Sequence, residues 1–245
     1  IAEANPGKQR MVARRRKLSR AISDQLIATR EPSVLLTLVR NAHAEISHEG
    51  FIALTALGAE MPDLMAPLST RADLAAPTAF ELFWPAPPQL RRYLLHRFLT
   101  DSETLTKILK ITLSTKDGED SRDVELPSTG DVTELLNAAC RGRIESSAAR
   151  LGESLGVSAA VVERILLDRE GEAVIVLLKA AGYPRSSVTD LLNGLKRGET
   201  PLLSPEREVE ELQTMFDTLS LNKARILLTY WDWYVRKAGP YAPHA

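Results

Sequence analysis

The segment that decides the fold class most clearly is one short helix with a marked end, Glu172-Ala173-Val174-Ile175-Val176-Leu177-Leu178-Lys179-Ala180-Ala181-Gly182-Tyr183-Pro184. Apolar residues fill most of its first ten positions without the alternation that indicates a strand. Gly182 suits the left-handed backbone conformation in which helices often end, and Pro184 prevents the helix from continuing. The pattern predicts a helix from Glu172 to Ala181.

Helices of this kind recur along the whole chain. Apolar residues return at helical spacing, with Pro, Gly, Ser or Asp about every 10 to 15 residues, and aromatic residues make up only 5% of the sequence. The chain is therefore predicted to be all-α. The second half is predicted to contain further helices at Asp131–Cys140 with Asp131 as cap, Ile144–Leu155, Ser158–Leu167 with Ser158 as cap, Ser186–Lys196, and about Glu206 to Val235 as one long helix.

The first half contains a degenerate repeat. The segment Ile22–Ile27 resembles Ile46–Phe51 and, more loosely, Leu74–Ala79. Ser23 and Ser47 are predicted N-caps, with the preceding isoleucine packing on the residue four positions after the cap. A proline and an apolar segment follow each copy, at Pro32, Pro62 and Pro88. Each unit is predicted to be two short helices that must stack on neighbouring units to bury their apolar faces.

These patterns predict three regions. Residues 1–113 are predicted to form HEAT-like helical repeats, and residues 114–130, which are rich in Ser, Thr, Asp, Glu and Lys, a polar linker or loop. Residues 131–245 are predicted to form a C-terminal helical bundle with a long capping helix. Two separate halves and one continuous α-solenoid, a right-angled superhelix, both fit this pattern.

Five segments together resemble a known family: Arg15–Asp24, Leu38–Ala42, Ile46-Ser47, Arg71–Leu74 and Leu178–Pro184. The chain resembles the bacterial domain of unknown function 2336 from about residue 11 to residue 200. This family is common in alphaproteobacteria and is built of degenerate HEAT-like helical repeats. The resemblance implies an α-solenoid-like fold in the cytoplasm, and it brings no established activity or catalytic residues.

Composition indicates the compartment in which the chain is expected to work. The formal net charge is −1, and Cys140 is the only cysteine, so no disulfide can form within the chain and a reducing cytoplasm is expected. No apolar run approaches the roughly 20 residues that cross a bilayer, and no signal-peptide pattern opens the sequence. The first residue is Ile1 rather than Met, so we expect the sequence to be part of a longer product.

Positive charge is concentrated near the N-terminus. Seven basic residues and no acidic residue lie between Lys8 and Arg20. Four of the basic residues are consecutive and are candidates for contact with an anionic partner such as nucleic acid: Arg14, Arg15, Arg16 and Lys17. The alternative is that they form the solvated face of a first helix, with Leu18 and Ile22 pointing inward.

A helix-turn-helix-like pattern occupies Leu151–Leu166. Gly152 supplies a small residue and Gly156 a turn glycine, as that motif requires. The second helix would offer Ala159, Ala160, Glu163 and Arg164 to a DNA groove. Alanine reads little of a base edge and glutamate repels phosphate, so an ordinary turn between two repeat helices is the favoured alternative.

No catalytic, cofactor-binding or metal-binding residues are predicted. The four histidines do not share a helical face in any pair at the spacings expected for metal ligands, the sequence lacks nucleotide-binding glycine patterns, and Cys140 is expected to be a buried, inert thiol. No cofactor is expected, and an enzyme on a helical scaffold is the least favoured class.

Two tryptophans near the C-terminus, Trp231 and Trp233, are candidates for contact with a protein partner. Their spacing places them on different faces of a helix, so one is expected to cover the core and the other to be wetter. The alternative is a helix that simply closes the last repeat.

The predicted function is a protein–protein interaction scaffold or regulatory adaptor, with nucleic-acid binding as the alternative; the partner and the oligomeric state stay open.

Overall fold

The computed structural model describes residues 5–100, 106 and 127–238, and within these residues the chain forms fourteen α-helices and no strand. The prediction of an all-α fold is confirmed. Internal contacts divide the chain into two compact units, Ile1–Phe98 and Leu99–Ala245. Residues 114–126 of the predicted linker lie outside the described residues.

The first unit is a series of short helices. They are α1 Pro6–Ala13, α2 Arg20–Ala28, α3 Pro32–Arg40, α4 His48–Glu60, α5 Met65–Ser69, α6 Ala76–Phe83 and α7 Pro88–Thr100, with a 3₁₀ turn at Pro62–Leu64. The three prolines predicted to mark breaks each begin a helix or the 3₁₀ turn, where the missing N–H costs nothing. Helices α1 to α6 contact mainly the helices one or two places further along the chain.

The two serine caps predicted for the repeat have different outcomes. Ser47 is the N-cap of α4, and its hydroxyl accepts from the Gly50 N–H at 2.8 Å, as predicted. The prediction for Ser23 is wrong, because α2 begins at Arg20 with Ser19 as N-cap and Ser23 lies buried inside the helix. The two copies nevertheless meet, since the Ser47 hydroxyl donates to the Asp24 carboxylate at 2.7 Å.

The second unit is built around one buried helix. Its helices are α8 Thr129–Ala139, α9 Ile144–Leu155, α10 Ala159–Leu167, α11 Glu172–Ala180, α12 Arg185–Leu195, α13 Val209–Thr218 and α14 Leu221–Ala238. Every residue of α11 except Lys179 is buried, because α10, α13 and α14 pack around it. Gly182 follows α11 with a left-handed φ of 71°, as predicted.

Two helix boundaries in this unit differ from prediction. Helix α8 begins at Thr129 rather than Asp131, because the Ser128 hydroxyl caps it and accepts from the Asp131 N–H at 3.1 Å. The prediction of one long final helix is also wrong. Leu219 has extended backbone dihedrals, and the Ser220 hydroxyl accepts from the Lys223 N–H at 3.3 Å, so α13 ends and α14 begins there.

The helix-turn-helix-like segment forms a tightly packed pair, α9 and α10. Gly156 has a left-handed φ of 67° after the end of α9. A Cβ atom on Gly152 would lie 2.8 Å from the carbonyl oxygen of Val157 and 3.2 Å from the backbone nitrogen of Ala159. The close approach of the turn to α9 therefore requires glycine at position 152.

We expect Gly152→Ala to lower the free energy of unfolding by about 1 to 3 kcal/mol, because the added methyl group meets rigid backbone atoms. Gly194→Ala is the matched control. It also lies in a helix but has open space around its Cβ position, so it should raise stability by about 0.5 to 1 kcal/mol. Urea denaturation measures both. Equal effects of the two substitutions would contradict the packing described for Gly152.

Candidate functional site

The four candidate cations lie together in the loop between α1 and α2. The side chains of Arg14, Arg15, Arg16 and Lys17 are all exposed. The alternative placed them on the solvated face of a first helix with Leu18 inward; their exposure and the burial of Leu18 agree with it, but the helical part is wrong, because α1 ends at Ala13. The chain must leave the helix there, since Leu18 turns into the core with 2% of its surface exposed.

The backbone of this basic loop, Arg14–Lys17, is held at both ends. The Asn41 side-chain amide donates to the carbonyl oxygens of Ala13 at 2.8 Å and Arg15 at 2.9 Å. Leu18 forms an isolated parallel β-bridge with Ala44, and the Glu45 N–H donates to the Leu18 carbonyl at 3.0 Å. The segment that follows α3 is thus the support on which the loop rests.

That segment is fixed in turn by the buried guanidinium of Arg71, whose side chain is 4% exposed. Its Nη1 atom donates to the carbonyls of Val39 at 3.2 Å and Asn41 at 2.8 Å, and its Nη2 atom donates to that of Ala44 at 2.8 Å. Asp73 accepts from Nε at 2.9 Å and from Nη2 at 2.7 Å. All five N–H donors of the guanidinium are used, as burial of a charge requires.

A second arginine extends this network. Arg97 donates to the carbonyl of Ser69 and, at 2.7 Å, to that of Arg71. The guanidinium of Arg71 also lies 5.6 Å from the centre of the Phe51 ring, within the range of a cation–π contact. Helices α3, α4 and α7 are therefore tied to one buried cluster beneath the basic loop.

The charge of the basic loop is not neutralised by the part of the chain that the structure describes. No carboxylate of these residues lies within the 4.0 Å of an ion pair from Arg14, Arg15, Arg16 or Lys17. The neighbouring Arg20 does face Glu45, at 4.0 Å and largely in solvent. One turn before the loop, Met11 is 72% exposed, so an apolar side chain stands beside the free cations.

The two candidate tryptophans have different environments. Trp231 is 2% exposed and belongs to the core, whereas Trp233 is partly exposed and lies with its ring centre 5.7 Å from that of Tyr230. The expectation that one covers the core and the other is wetter is confirmed. A side chain as deeply buried as Trp231 offers no surface to a partner, so only Trp233 keeps that role as a prediction.

The N-terminus of α10, which would approach DNA in a helix-turn-helix protein, is occupied by a carboxylate. The Ser158 N–H donates to Asp232 of α14 at 2.7 Å, and Asp232 also accepts from Arg236 at 2.6 Å. Asp232 is 1% exposed. The Ser158 N–H is therefore already bound by a side chain of α14 and is not available to a phosphate oxygen, which favours the ordinary-turn interpretation of Leu151–Leu166.

A shallow pocket of about 550 Å³ lies between α9 and α10 in the second unit. Its lining residues are Gly142, Arg143, Ile144, Glu145, Ser146, Glu163 and Leu167. Two carboxylates and one arginine line it, without a histidine, a cysteine or a nucleophile paired with a base. Its lining offers charged and hydroxyl side chains for polar contacts.

Other reactive groups stand apart from one another. Among the described residues no three His, Cys, Asp or Glu side chains are grouped as metal ligands, and His244 lies outside those residues. Cys140 is buried, and this burial raises the pKa of its thiol. In the same part of the chain, no helix is long and apolar enough to cross a membrane.

The basic residues are evident in the sequence, but the side chains that position them are not. Asn41, Arg71 and Asp73 all lie in segments that carry the family resemblance, yet the backbone carbonyls that Asn41 and Arg71 bind lie about 26 to 32 positions away in the chain. Arginine and aspartate two positions apart were the one local sign of a fixed guanidinium. Nothing in the sequence near Asn41 indicates that it contacts Ala13 and Arg15.

We expect Arg71→Met to lower the free energy of unfolding by about 3 kcal/mol, because three buried carbonyls lose their donor and Asp73 loses its ion pair. Arg30→Met is the matched control: its ion pair with Glu60 is exposed on both sides, so its loss should cost less than about 1 kcal/mol. Urea denaturation of both variants measures the difference. A loss for Arg71→Met as small as for the control would show that the buried network does not stabilise the unit.

We expect Cys140 in the folded protein to react with a thiol reagent at pH 8 far more slowly than in the protein unfolded in urea. Burial blocks access, and the raised pKa lowers the fraction of reactive thiolate at any pH below it. A colorimetric disulfide reagent measures both rates. Equal rates would contradict the buried position of this thiol.

The sequence matches the family model described as an uncharacterised protein conserved in bacteria, DUF2336, over residues 1–229, so the chain belongs to that family. The family resemblance predicted from the sequence is confirmed. No curated protein and no solved structure matches the chain. The family description names no activity, ligand or partner, and the HEAT-like character of the repeats stays a prediction.

Proposed function

We propose that this chain is a non-catalytic adaptor that binds an acidic segment of a partner protein through the basic loop Arg14–Lys17. One observation carries the proposal: four consecutive exposed cations stand on a backbone fixed by Asn41 and by the Leu18–Ala44 bridge, without a carboxylate partner among the described residues. The buried charges of the fold are paired, whereas these four exposed cations have no carboxylate partner among the described residues and can bind an anionic partner.

Two features favour a protein over a nucleic acid. Met11 is exposed beside the cations, and an apolar side chain at the edge of a charged patch adds contact area to a protein interface but little to a phosphate backbone. The net charge of the chain is −1, so its attraction to a polyanion is confined to this local patch. The partner expected is a segment with several carboxylates and at least one apolar side chain.

Nucleic acid is the second candidate, because the same four cations suit phosphate. Arginine forks match phosphate oxygens, and binding would release condensed counterions. The affinity for duplex DNA would fall linearly with salt on a double-logarithmic plot, with a slope of roughly −0.9 per phosphate contact.

The proposal includes three further inferences: the chain works by binding alone, its helix pairs are HEAT-like repeats that form an α-solenoid, and it acts in the cytoplasm. The contacts of α1 to α6 with helices one or two places further along the chain support a stacked repeat. The single, buried cysteine supports a reducing compartment.

Fluorescence anisotropy with two labelled probes tests the proposed function: a glutamate-rich peptide with interspersed leucines, and a mixed-sequence DNA duplex, each across a salt series. We expect the peptide to bind more tightly than the duplex. The triple variant Arg14→Gln, Arg15→Gln, Arg16→Gln should weaken the peptide affinity roughly tenfold, as expected for the loss of three exposed charge contacts.

A variant with the same loss of charge serves as control, with Arg141, Arg143 and Arg150 of the second unit changed to Gln. All three are exposed, and their loss should leave the affinity unchanged. Tighter binding of the duplex, weakened only by the loop variant, would replace the protein partner with nucleic acid. Absence of binding to both probes at low salt would overturn the proposal.

A further inference from the structure

We infer that the basic loop is one half of a two-loop binding surface for an acidic protein segment, that Arg40 on the segment Arg40–His43 belongs to its other half, and that Asn41 is the positioning residue that joins the two. The inference rests on the proposed function for its ligand. The link made by Asn41 can be tested without a ligand.

The geometry of Asn41 brings the two segments together. Asn41 ends α3 with an extended ψ of 98°, and its side chain turns towards the basic loop to bind the carbonyls of Ala13 and Arg15. Its Oδ1 atom accepts from the His43 N–H at 3.0 Å, which fixes the orientation of the amide. The residues on either side of Asn41 are therefore held next to the loop backbone.

The residues that flank Asn41 are accessible. Arg40, Ala42 and His43 are all exposed, and no described carboxylate lies within ion-pair distance of Arg40. Arg40 thus adds a fifth free cation to the four of the basic loop, although 23 positions separate it from Lys17 in the sequence. A partner segment that crosses both loops can meet positive charge from each.

Preorganisation gives Asn41 its role. An arginine-rich loop without fixed backbone would lose conformational freedom on binding, and this loss would reduce the affinity. The two hydrogen bonds from the Asn41 amide fix the loop before the partner arrives, and Arg71 holds Asn41 from beneath through its carbonyl. Removal of the amide should therefore weaken binding without any change in charge.

Trypsin tests the link directly, because it cleaves after Arg and Lys only where the backbone can adapt to the protease. We expect Asn41→Ala to speed native-state cleavage within residues 14–17 by about fivefold, as expected for the loss of about 1 kcal/mol of local stability. Asn137→Ala, at a partly exposed asparagine of α8, is the control and should not change that rate. Cleavage of the Asn41→Ala loop at the unaltered rate would overturn the role of Asn41.

Anisotropy with the glutamate-rich peptide tests the second loop. Arg40→Gln should weaken the affinity about two- to fivefold, as much as Arg15→Gln does, whereas Arg150→Gln should leave it unchanged. If the triple loop variant weakens binding and Arg40→Gln does not, the two-loop surface is wrong and the proposed function stands. If neither weakens it, the proposed function fails and the surface fails with it.

The DNA duplex provides the remaining arm of this experiment. If Arg40→Gln weakens binding of the duplex, and neither the unaltered protein nor any variant binds the peptide, the partner is not an acidic protein segment. Loss of peptide affinity alone would support it.

Discussion

The five N–H groups of the Arg71 guanidinium are the interaction on which the first unit depends. They bind three carbonyls around the end of α3 and both oxygens of Asp73, so the buried charge holds these segments together. The desolvation of arginine is offset only when every donor is paired. Arg71 holds Asn41, and the Asn41 side chain in turn fixes the backbone of the basic loop Arg14–Lys17.

Buried charges are paired in the second unit as well. Arg207 is buried and pairs with Glu172 of the central helix α11 and with Glu211 of α13, while Asp232 caps α10. Charges inside the fold are thus matched by a partner in both units. The basic loop Arg14–Lys17 differs from these buried charges, because it places four consecutive exposed cations on a fixed backbone without a carboxylate partner among the described residues.

The sequence predicted what depends on local chemistry. The C-terminal end of α11 follows from Gly182 and Pro184, and the start of α4 follows from the Ser47 hydroxyl, because each residue acts on backbone within about one turn of itself. Errors arose where two local patterns competed. Ser19 rather than Ser23 occupies the N-cap position of α2, and Ser220 begins a new helix inside an apolar pattern that continues through it.

The side chains that position the basic loop could not be predicted from local sequence patterns. The charge of the basic loop is visible in the sequence, but its support by Asn41 and Arg71 arises from contacts between residues that only the stacked helices bring together. Likewise, the spacing of Trp231 and Trp233 predicts that they differ in exposure without indicating which one is buried. Tertiary packing decides such questions.

Amide hydrogen exchange with and without a saturating glutamate-rich peptide tests whether the two loops form one binding surface, because it locates the bound partner on the unaltered protein. We expect protection by the peptide to be concentrated in residues 14–19 and 40–45, the two segments joined by Asn41. Protection confined to residues 127–238, or none at a peptide concentration that saturates the anisotropy signal, would contradict it.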